Sequence, residues 1–276
     1  MTSTTENEKF IIPDVSDRPL PELISLKNKV AVVTGGSKGI GWGICKRLAE
    51  AGANVVVAGH HQESSNQAAA ELTNTYNNRA ISIAVDVSNS ATLSTLAERT
   101  ISEFGRLDIW VNNAAIFPIK PLLEFSDEAW QEVINVDLNG VFFGSREAAK
   151  RMIAAGNGGV IINLSSVLGY KAWPKMSAYV CAKHGIGGLT KSLAIELGQH
   201  GIRVLAIAPS VVKTAYINSA EFQDNSGVDS DEVAKEIPLG RVGVPDDIAR
   251  VALFCASDLA IYMSGHTLLV DAGLTA

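Results

Sequence analysis

The sequence has few cysteines, no long apolar run and no concentrated positive charge. Its three cysteines, Cys45, Cys181 and Cys255, lie far apart and form no CxxC pair or Cys/His ligand spacing. This predicts small apolar side chains in a reducing compartment and no metal site. No run approaches the roughly 20 apolar residues that span a bilayer. The polar N-terminus has no apolar core typical of a secretory signal, so we expect a soluble, cytoplasmic protein.

The charge is modest and slightly acidic. Charged residues make up 19% of the chain and the net charge is -6, with no Lys/Arg cluster that could follow a phosphate backbone. Nucleic acid and anionic membranes are therefore unfavoured partners. With 276 residues, 47% of them hydrophobic, the chain is long enough to bury a large core.

Short apolar runs alternate with helical stretches along most of the chain. Strands are predicted over residues 30–34, 54–58, 80–85, 107–111, 160–164, 203–208 and 266–270. Helices are predicted over residues 40–51, 63–76, 90–104, 126–154, 177–199 and 246–256. This alternation predicts an α/β fold: a doubly wound, Rossmann-type parallel sheet of seven strands with helices on both faces.

Two segments depart from the alternation. Residues 1–28 carry Pro13, Pro19 and Pro21 and show no period, which predicts an extended arm on the surface or on a neighbouring subunit. The remaining residues, 29–276, are interpreted as a single catalytic domain. Within it, residues 210–238 form a long polar segment after the sixth strand, at the sheet edge where ligands bind, and are predicted to be a lid.

A glycine-rich turn directly follows the first predicted strand. Residues 34–41 read TGGSKGIG, with glycines at 35, 39 and 41. Glycines allow a tight turn and close approach of a pyrophosphate, and the following helix supplies free N–H groups. Such a turn can also be a structural corner, but its position between the first strand and first helix favours nucleotide binding.

Several motifs occur in the order found in one enzyme family, and together they cover residues 26–276. The turn resembles TGxxxGxG, the Asn-Asn-Ala-Ala after the fourth strand resembles NNAG, Ser166 precedes a YxxxK pair, and residues 209–214 resemble PGxxxT. The chain thus resembles the classical short-chain dehydrogenase/reductases. The resemblance implies cofactor binding by Gly35, Ser37, Lys38, Gly39, Ile40, Gly41, Asp86, Val87, Asn113, Ala114, Ala115, Tyr179, Lys183, Pro209, Val212 and Thr214.

The predicted catalytic group is Ser166, Tyr179 and Lys183. Carbonyl reduction needs a hydride donor, an acid for the forming alkoxide and a donor that polarises the carbonyl. Tyrosine has an ordinary pKa of about 10, and a nearby ammonium favours its phenolate. Lys183 lies one helical turn beyond Tyr179. Ser166 ends the fifth strand and can donate to the substrate oxygen, with Ser165 as the alternative register.

The resemblance also implies an asparagine in the long helix before the fifth strand. Aligned through Trp130 and the pair Val141-Phe142, the sequence has Asp137 there. In the family this residue holds a proton-relay water largely through its backbone carbonyl, which an aspartate keeps. A charged side chain can also perturb Lys183. We interpret Asp137 as a functional variant of the relay residue.

The cofactor prediction is NADP(H) in preference to NAD(H). NAD-selective proteins place a carboxylate after the second strand to bind the ribose 2′-OH. Here the chain reads Gly59-His60-His61, with His60 where NADP-type members often have an arginine, and Lys38 lies in the glycine turn. Alternatively, the two histidines are solvated loop residues.

The substrate residues are apolar and aromatic, with lysines nearby. Leu168, Trp173, Phe117 and Tyr216 are predicted to line the pocket. They favour hydride transfer between NADP(H) and a ketone or secondary alcohol, the reaction of a carbonyl reductase or alcohol dehydrogenase. Lys171 and Lys175 leave open an NAD(P)-dependent sugar, polyol or keto-gluconate dehydrogenase.

A non-catalytic nucleotide-sensing protein is a remote alternative, since it would have no need to keep serine, tyrosine and lysine together. The resemblance further implies a homo-oligomer, either a tetramer or a dimer.

Overall fold

A parallel seven-stranded sheet forms the centre of the molecule. The computed structural model describes residues 10–217, 219 and 230–276. The strands are β1 Val30–Thr34, β2 Asn54–Gly59, β3 Ala80–Ala84, β4 Ile109–Asn112, β5 Gly159–Leu164, β6 Ile202–Pro209 and β7 Thr267–Val270. Their order across the sheet is β3-β2-β1-β4-β5-β6-β7. The strand order reverses beside β1, which pairs with both β2 and β4.

Helices cover both faces of this sheet. They are α1 Leu20–Ile24, α2 Gly39–Glu50, α3 Gln62–Tyr76, α4 Ser90–Phe104, α5 Asp127–Ile134, α6 Gly140–Ala155, α7 Ser177–Leu197, α8 Ser230–Glu236 and α9 Pro245–Ala256. Successive strand side chains point to opposite faces. Val33 of β1 therefore packs with α2, α3 and α9, whereas its neighbour Val32 packs with α4, α6 and α7.

Burial on both faces explains the uninterrupted apolar strands. All five residues of β1 are buried, as are five of the six in β2 and in β5. The edge strands β3 and β7 are only half-buried. A strand covered on both sides carries apolar residues at consecutive positions, as parallel sheets require. The predicted doubly wound α/β fold is confirmed, with every strand boundary within two residues of its expected place.

One expectation about secondary structure was wrong: the arm is not wholly extended, since it includes α1. The helix predicted over residues 126–154 is present but contains a π-helical segment, Asn135–Asn139, that was not anticipated. The segment predicted to be a lid, residues 210–238, includes α8, although residues 218 and 220–229 lie outside the described part. Among the described residues, no helix is long and apolar enough to cross a membrane.

Candidate active site

The glycine turn joins β1 to α2 and leaves open backbone at the start of the helix. Gly35 has φ +64°, and a Cβ on Gly41 would lie 2.2 Å from the Gly35 carbonyl oxygen and 2.5 Å from Asn113 Nδ2. Lys38, at the N-cap of α2, makes no capping side-chain hydrogen bond. The turn therefore presents uncapped N–H groups and the positive end of the helix dipole, a fitting place for a phosphate.

The loop after β4 is fixed against this turn. Asn113 Nδ2 donates to the Thr34 carbonyl oxygen at 2.8 Å, and Asn113 N donates to Thr34 Oγ1 at 3.0 Å. Ala114 N donates to the same hydroxyl at 3.2 Å. These bonds hold two carboxyl-terminal strand ends together, so the polar residues that follow both strands face one opening.

The two serines at the end of β5 have different partners. Ser165 Oγ donates to the Lys183 carbonyl oxygen at 3.0 Å, which directs it to the backbone of α7. Ser166 Oγ accepts from Leu168 N at 3.1 Å and also hydrogen-bonds with Tyr179. Of the two registers, Ser166 is the one whose hydroxyl meets the tyrosine.

Tyr179 and Lys183 lie one turn apart near the start of α7. Lys183 Nζ is 5.1 Å from the centre of the Tyr179 ring and donates to the Leu164 carbonyl oxygen at 3.0 Å. Burial raises the pKa of Tyr179; the Lys183 charge lowers it, the Asp137 charge raises it and the Ser166 hydrogen bond lowers it. On balance the pKa of Tyr179 is raised above its ordinary value, so the phenol is predominantly protonated at neutral pH.

Asp137 lies beneath Lys183 in the π-helical segment. Its Oδ2 is 3.3 Å from Lys183 Nζ, its Oδ1 accepts from Ile116 N at 2.8 Å, and the residue is fully buried. Burial raises the pKa of Asp137 and outweighs the Lys183 ammonium and the Ile116 N–H, which lower it, so the pKa stays above its ordinary value. The structure thus brings Asp137 to Lys183 rather than to the open cavity.

A cavity of about 1580 Å³ connects the glycine turn with Ser166, Tyr179 and Lys183. The other predicted residues that line it are Gly35, Ser37, Lys38, Ile40, Gly41, His60, Asp86, Val87, Asn113, Ala114, Ala115, Pro209, Val212, Thr214, Leu168, Trp173 and Phe117. Three predicted site residues are not among those that line it. Gly39 backs onto Thr214, Tyr216 packs its ring 4.9 Å from that of Phe117, and Asp137 contacts Lys183.

Two groups of cavity residues were not anticipated from the sequence. One face of α5 contributes Glu128, Gln131 and Glu132, and Asn135 follows in the π segment. Their spacing of three and four residues is the available signal, since it places them on one helical face. The start of α3 contributes Glu63 and Ser64 among others. Their role depends on how the second strand turns into α3, which periodicity does not reveal.

Comparison with known proteins agrees with this geometry. Residues 35–275 match a family model described as Enoyl-(Acyl carrier protein) reductase. A short chain dehydrogenase/reductase of Aspergillus oryzae is 43% identical over 91% of this chain and 96% of its own length. A 3beta-hydroxysteroid dehydrogenase of Eggerthella lenta is 41% identical, with 91% and 95% covered.

The chain belongs to the classical short-chain dehydrogenase/reductase family. A solved family structure, provisionally assigned as an NAD(P) dependent gluconate 5-dehydrogenase of Beutenbergia cavernae and holding NADP at low occupancy, superposes with a TM-score of 0.84. It is 34% identical, with 91% of this chain and 98% of that one covered. As a short-chain dehydrogenase/reductase, the protein is an oxidoreductase that acts on CH–OH or C=O groups.

Proposed function

We propose that the protein transfers a hydride between NADP(H) and a ketone or secondary alcohol that carries an apolar part. The observation that supports this most is the single cavity of about 1580 Å³ shared by the glycine turn and by Ser166, Tyr179 and Lys183. A nucleotide with its phosphates at the turn would extend toward the tyrosine. A non-catalytic sensor would have no need for this arrangement.

In the proposed reaction, the three protein groups have different tasks. A nicotinamide cofactor held at the glycine turn would supply or take up the hydride. Ser166 donates a hydrogen bond to the substrate oxygen, and Tyr179 delivers a proton to that oxygen during reduction or removes it during oxidation. Lys183 holds positive charge near the phenol and so stabilises the phenolate formed by proton transfer. We also propose that Lys183 binds the cofactor ribose.

The side chains that line the cavity beside Tyr179 favour a substrate with an apolar part. The Phe117 ring centre lies 5.5 Å from that of Tyr179, and Leu168, Trp173 and Met176 line the same cavity. Lys171, Gln131 and Asn135 also line it. Those polar groups support the second candidate, a sugar, polyol or keto-gluconate dehydrogenase, because they could hydrogen-bond hydroxyl or carboxylate groups.

A substrate panel separates the two candidates. The protein would be assayed with apolar ketones and secondary alcohols, polyols and keto-gluconates, using both nicotinamide cofactors and following the absorbance of the reduced form. We expect the highest kcat/KM with an apolar ketone. A highest value with a polyol or keto-gluconate would favour the second candidate, and cofactor binding without turnover on any substrate would contradict both.

The preference for NADP(H) is proposed from the adenosine end of the cavity. Ser37, Lys38, His60 and Ser64 line it, and no carboxylate stands directly after β2. Glu63 also lines the cavity and is the local feature that opposes a 2′-phosphate.

For the first prediction, we expect wild-type kcat/KM to be at least about tenfold higher with NADPH than with NADH. Replacing both Lys38 and His60 by alanine should lower the NADPH value about tenfold, because a charge-assisted phosphate contact contributes about that factor. The NADH value should change little. Lys27→Ala, which removes an exposed lysine before β1, is the control. A wild-type preference for NADH would refute the assignment.

The cytoplasmic location and the homo-oligomeric state stay predictions. Exposed apolar side chains such as Ile195, Tyr262 and Leu123 support association of subunits. Light scattering on the eluted protein would measure the oligomeric state, and fractionation of the source cells would test the location.

A further inference from the structure

Asp137 has an ionisable carboxyl group that its structural role does not require. In the π-helical segment its Oδ1 anchors the loop after β4 by accepting from Ile116 N at 2.8 Å. An asparagine has the same shape and its amide oxygen would accept the same hydrogen bond. The charged atom to be explained is Oδ2, which accepts no hydrogen bond among the described residues and faces Lys183 Nζ at 3.3 Å.

Burial makes this charge costly. Asp137 is 0% exposed and Lys183 is 2% exposed, so an ionised group at either position would have lost most of its water. A buried carboxylate is tolerated when an opposite charge compensates it, but replacing such a pair by neutral groups often costs nothing. The ion pair is therefore weak evidence for a stabilising role, and its position suggests an electrostatic one.

We propose that Asp137 is a positioning residue that offsets part of the Lys183 charge and so keeps the Tyr179 hydroxyl protonated to a higher pH than asparagine would. The inference rests on the proposed function, in which this hydroxyl is the acid of carbonyl reduction. The carboxylate thus favours the acid form of the site at neutral pH and delays the base form needed for alcohol oxidation.

The electrostatics have a definite sign. Lys183 Nζ lies 5.1 Å from the Tyr179 ring centre, and its positive charge favours phenolate. Asp137, whose Oδ2 lies 3.3 Å from that ammonium, opposes it, which agrees with the direction in which each charge moves the pKa of Tyr179. Removing only the Asp137 charge should leave the lysine unopposed.

The other groups around the tyrosine do not change this sign. Ser165 and Ser166 at the end of β5 and Phe117 after β4 are uncharged. Glu128 and Glu132 on α5 and Lys171 before α7 line the same cavity, and none of them is among the charges that move the pKa of Tyr179. These charges, and any charge on a bound nicotinamide, are the same in the wild type and in an Asp137→Asn variant.

The experiment compares pH profiles of kcat/KM for wild type and Asp137→Asn in both directions. Reduction needs the phenol and declines above its pKa, whereas oxidation needs the phenolate and rises toward that pKa. We expect both limbs, the decline of reduction and the rise of oxidation, to move to lower pH by about one unit in the variant. A shift of this size is typical of one partly screened neighbouring charge. Oxidation at neutral pH should then rise about tenfold.

Asp127→Asn is the matched control, because it removes an exposed carboxylate from the start of α5 outside the cavity. Its profiles should equal those of wild type. An Asp137→Asn enzyme that stays active with unshifted limbs would overturn the inference while leaving the proposed function standing. A wild type without turnover at any pH would instead contradict the proposed function.

A second measurement does not depend on turnover. Ultraviolet titration of the cofactor-free protein, minus that of the same protein carrying Tyr179→Phe, isolates the ionisation of this phenol and would be made for the wild type and for Asp137→Asn. We expect the phenol to titrate at lower pH in Asp137→Asn than in the wild type. Equal titration in the two proteins would overturn the inference by itself.

Discussion

Tyr179 has a buried phenol whose neighbours are the Ser166 hydroxyl and the Lys183 ammonium. Its ring lies beside that of Phe117, with centres 5.5 Å apart, and its hydroxyl meets Ser166. A phenol in such a place can give up a proton only if the resulting charge is stabilised on the spot. Lys183 supplies that stabilisation. The proton transfer that we propose takes place at a single atom, the hydroxyl oxygen of Tyr179.

The second prediction removes that oxygen. Tyr179→Phe should lower kcat about 1,000-fold, within the range ascribed to a positioned general acid or base. NADPH affinity, measured by fluorescence titration, should stay within about threefold, because the glycine turn remains intact. Tyr262→Phe is the control, since that side chain is 92% exposed. A Tyr179→Phe enzyme within about tenfold of wild-type kcat would exclude the tyrosine as the acid.

Spacing along the chain located Ser166, Tyr179, Lys183 and Asp137 individually, but not every contact between them. The Tyr179–Lys183 relation follows from one helical turn and is therefore predictable. The Asp137–Lys183 pair joins separate helices and depends on how they cross, which periodicity does not specify. The choice between Ser165 and Ser166 likewise depends on which hydroxyl the backbone of α7 already uses.

The turn between β1 and α2 leaves little room for side chains. Gly41 lies inside the first turn of α2, where Asn113 and the Gly35 carbonyl approach closely. The same bonds that fix the β4 loop leave no room for a Cβ. Glycine is required at this position by packing, in addition to any need for phosphate to approach.

The third prediction is that Gly41→Ala disrupts this turn. A Cβ at 2.2 Å from a backbone oxygen forces the turn to move, so we expect NADPH affinity to fall at least about tenfold and unfolding free energy to fall by about 1–3 kcal/mol. Calorimetry and urea unfolding would measure these changes.

The matched control is Gly188→Ala in α7, where the added Cβ meets nothing within 4 Å. There the higher helix propensity of alanine should stabilise the protein by up to about 1 kcal/mol. If the two variants behaved alike, the crowding argument for Gly41 would fail.

Most strands and helices were predictable from the sequence, because the burial of an element determines its pattern of apolar residues. Continuous apolar runs specify strands covered on both faces, and the sequence places β1 without error. The π segment Asn135–Asn139 was missed because its extra residue changes the backbone bonding without leaving an apolar period of its own. Helix α8 was missed for a related reason: residues 230–236 are mostly polar, so propensity alone had to indicate the helix.

For the molecule as a whole, the parallel order of the sheet creates the site. Because all seven strands run in one direction, the segments that follow β1, β4, β5 and β6 meet at one edge. The helices outside the sheet must also hold that edge in place. Helix α9 does this by packing on α2 in the shared core and by anchoring the chain that leads into it.

The anchor is a cluster of ion pairs at the start of α9. Arg241 donates two hydrogen bonds to Asp247, at 2.6 and 2.9 Å, and Arg250 donates a third at 2.7 Å. Val244 N donates to the same carboxylate at 2.9 Å. Hydrogen bonds from Arg241 lead the effects that lower the pKa of Asp247, from 3.8 to about 2, and the Asp247 side chain is 17% exposed.

The fourth prediction concerns acid unfolding. A carboxylate with a lowered folded-state pKa contributes stability that is fully present above its unfolded value and lost as the pH falls through the folded one. Asp247 should therefore contribute about 1–2 kcal/mol at neutral pH, and this contribution should disappear between about pH 4 and pH 2. Asp247→Asn should lower stability at pH 7 by that amount, and urea unfolding across this range would measure it.

The mutant and wild-type stabilities should then converge toward pH 2, because protonation removes from the wild type the same charge that the substitution removes. Asp17→Asn, which alters an exposed carboxylate in the arm before α1, should leave the pH dependence as it is in the wild type. A constant difference between wild type and Asp247→Asn at every pH would mean that lost packing, not lost charge, explains the effect. The anchoring of α9 would then not be electrostatic.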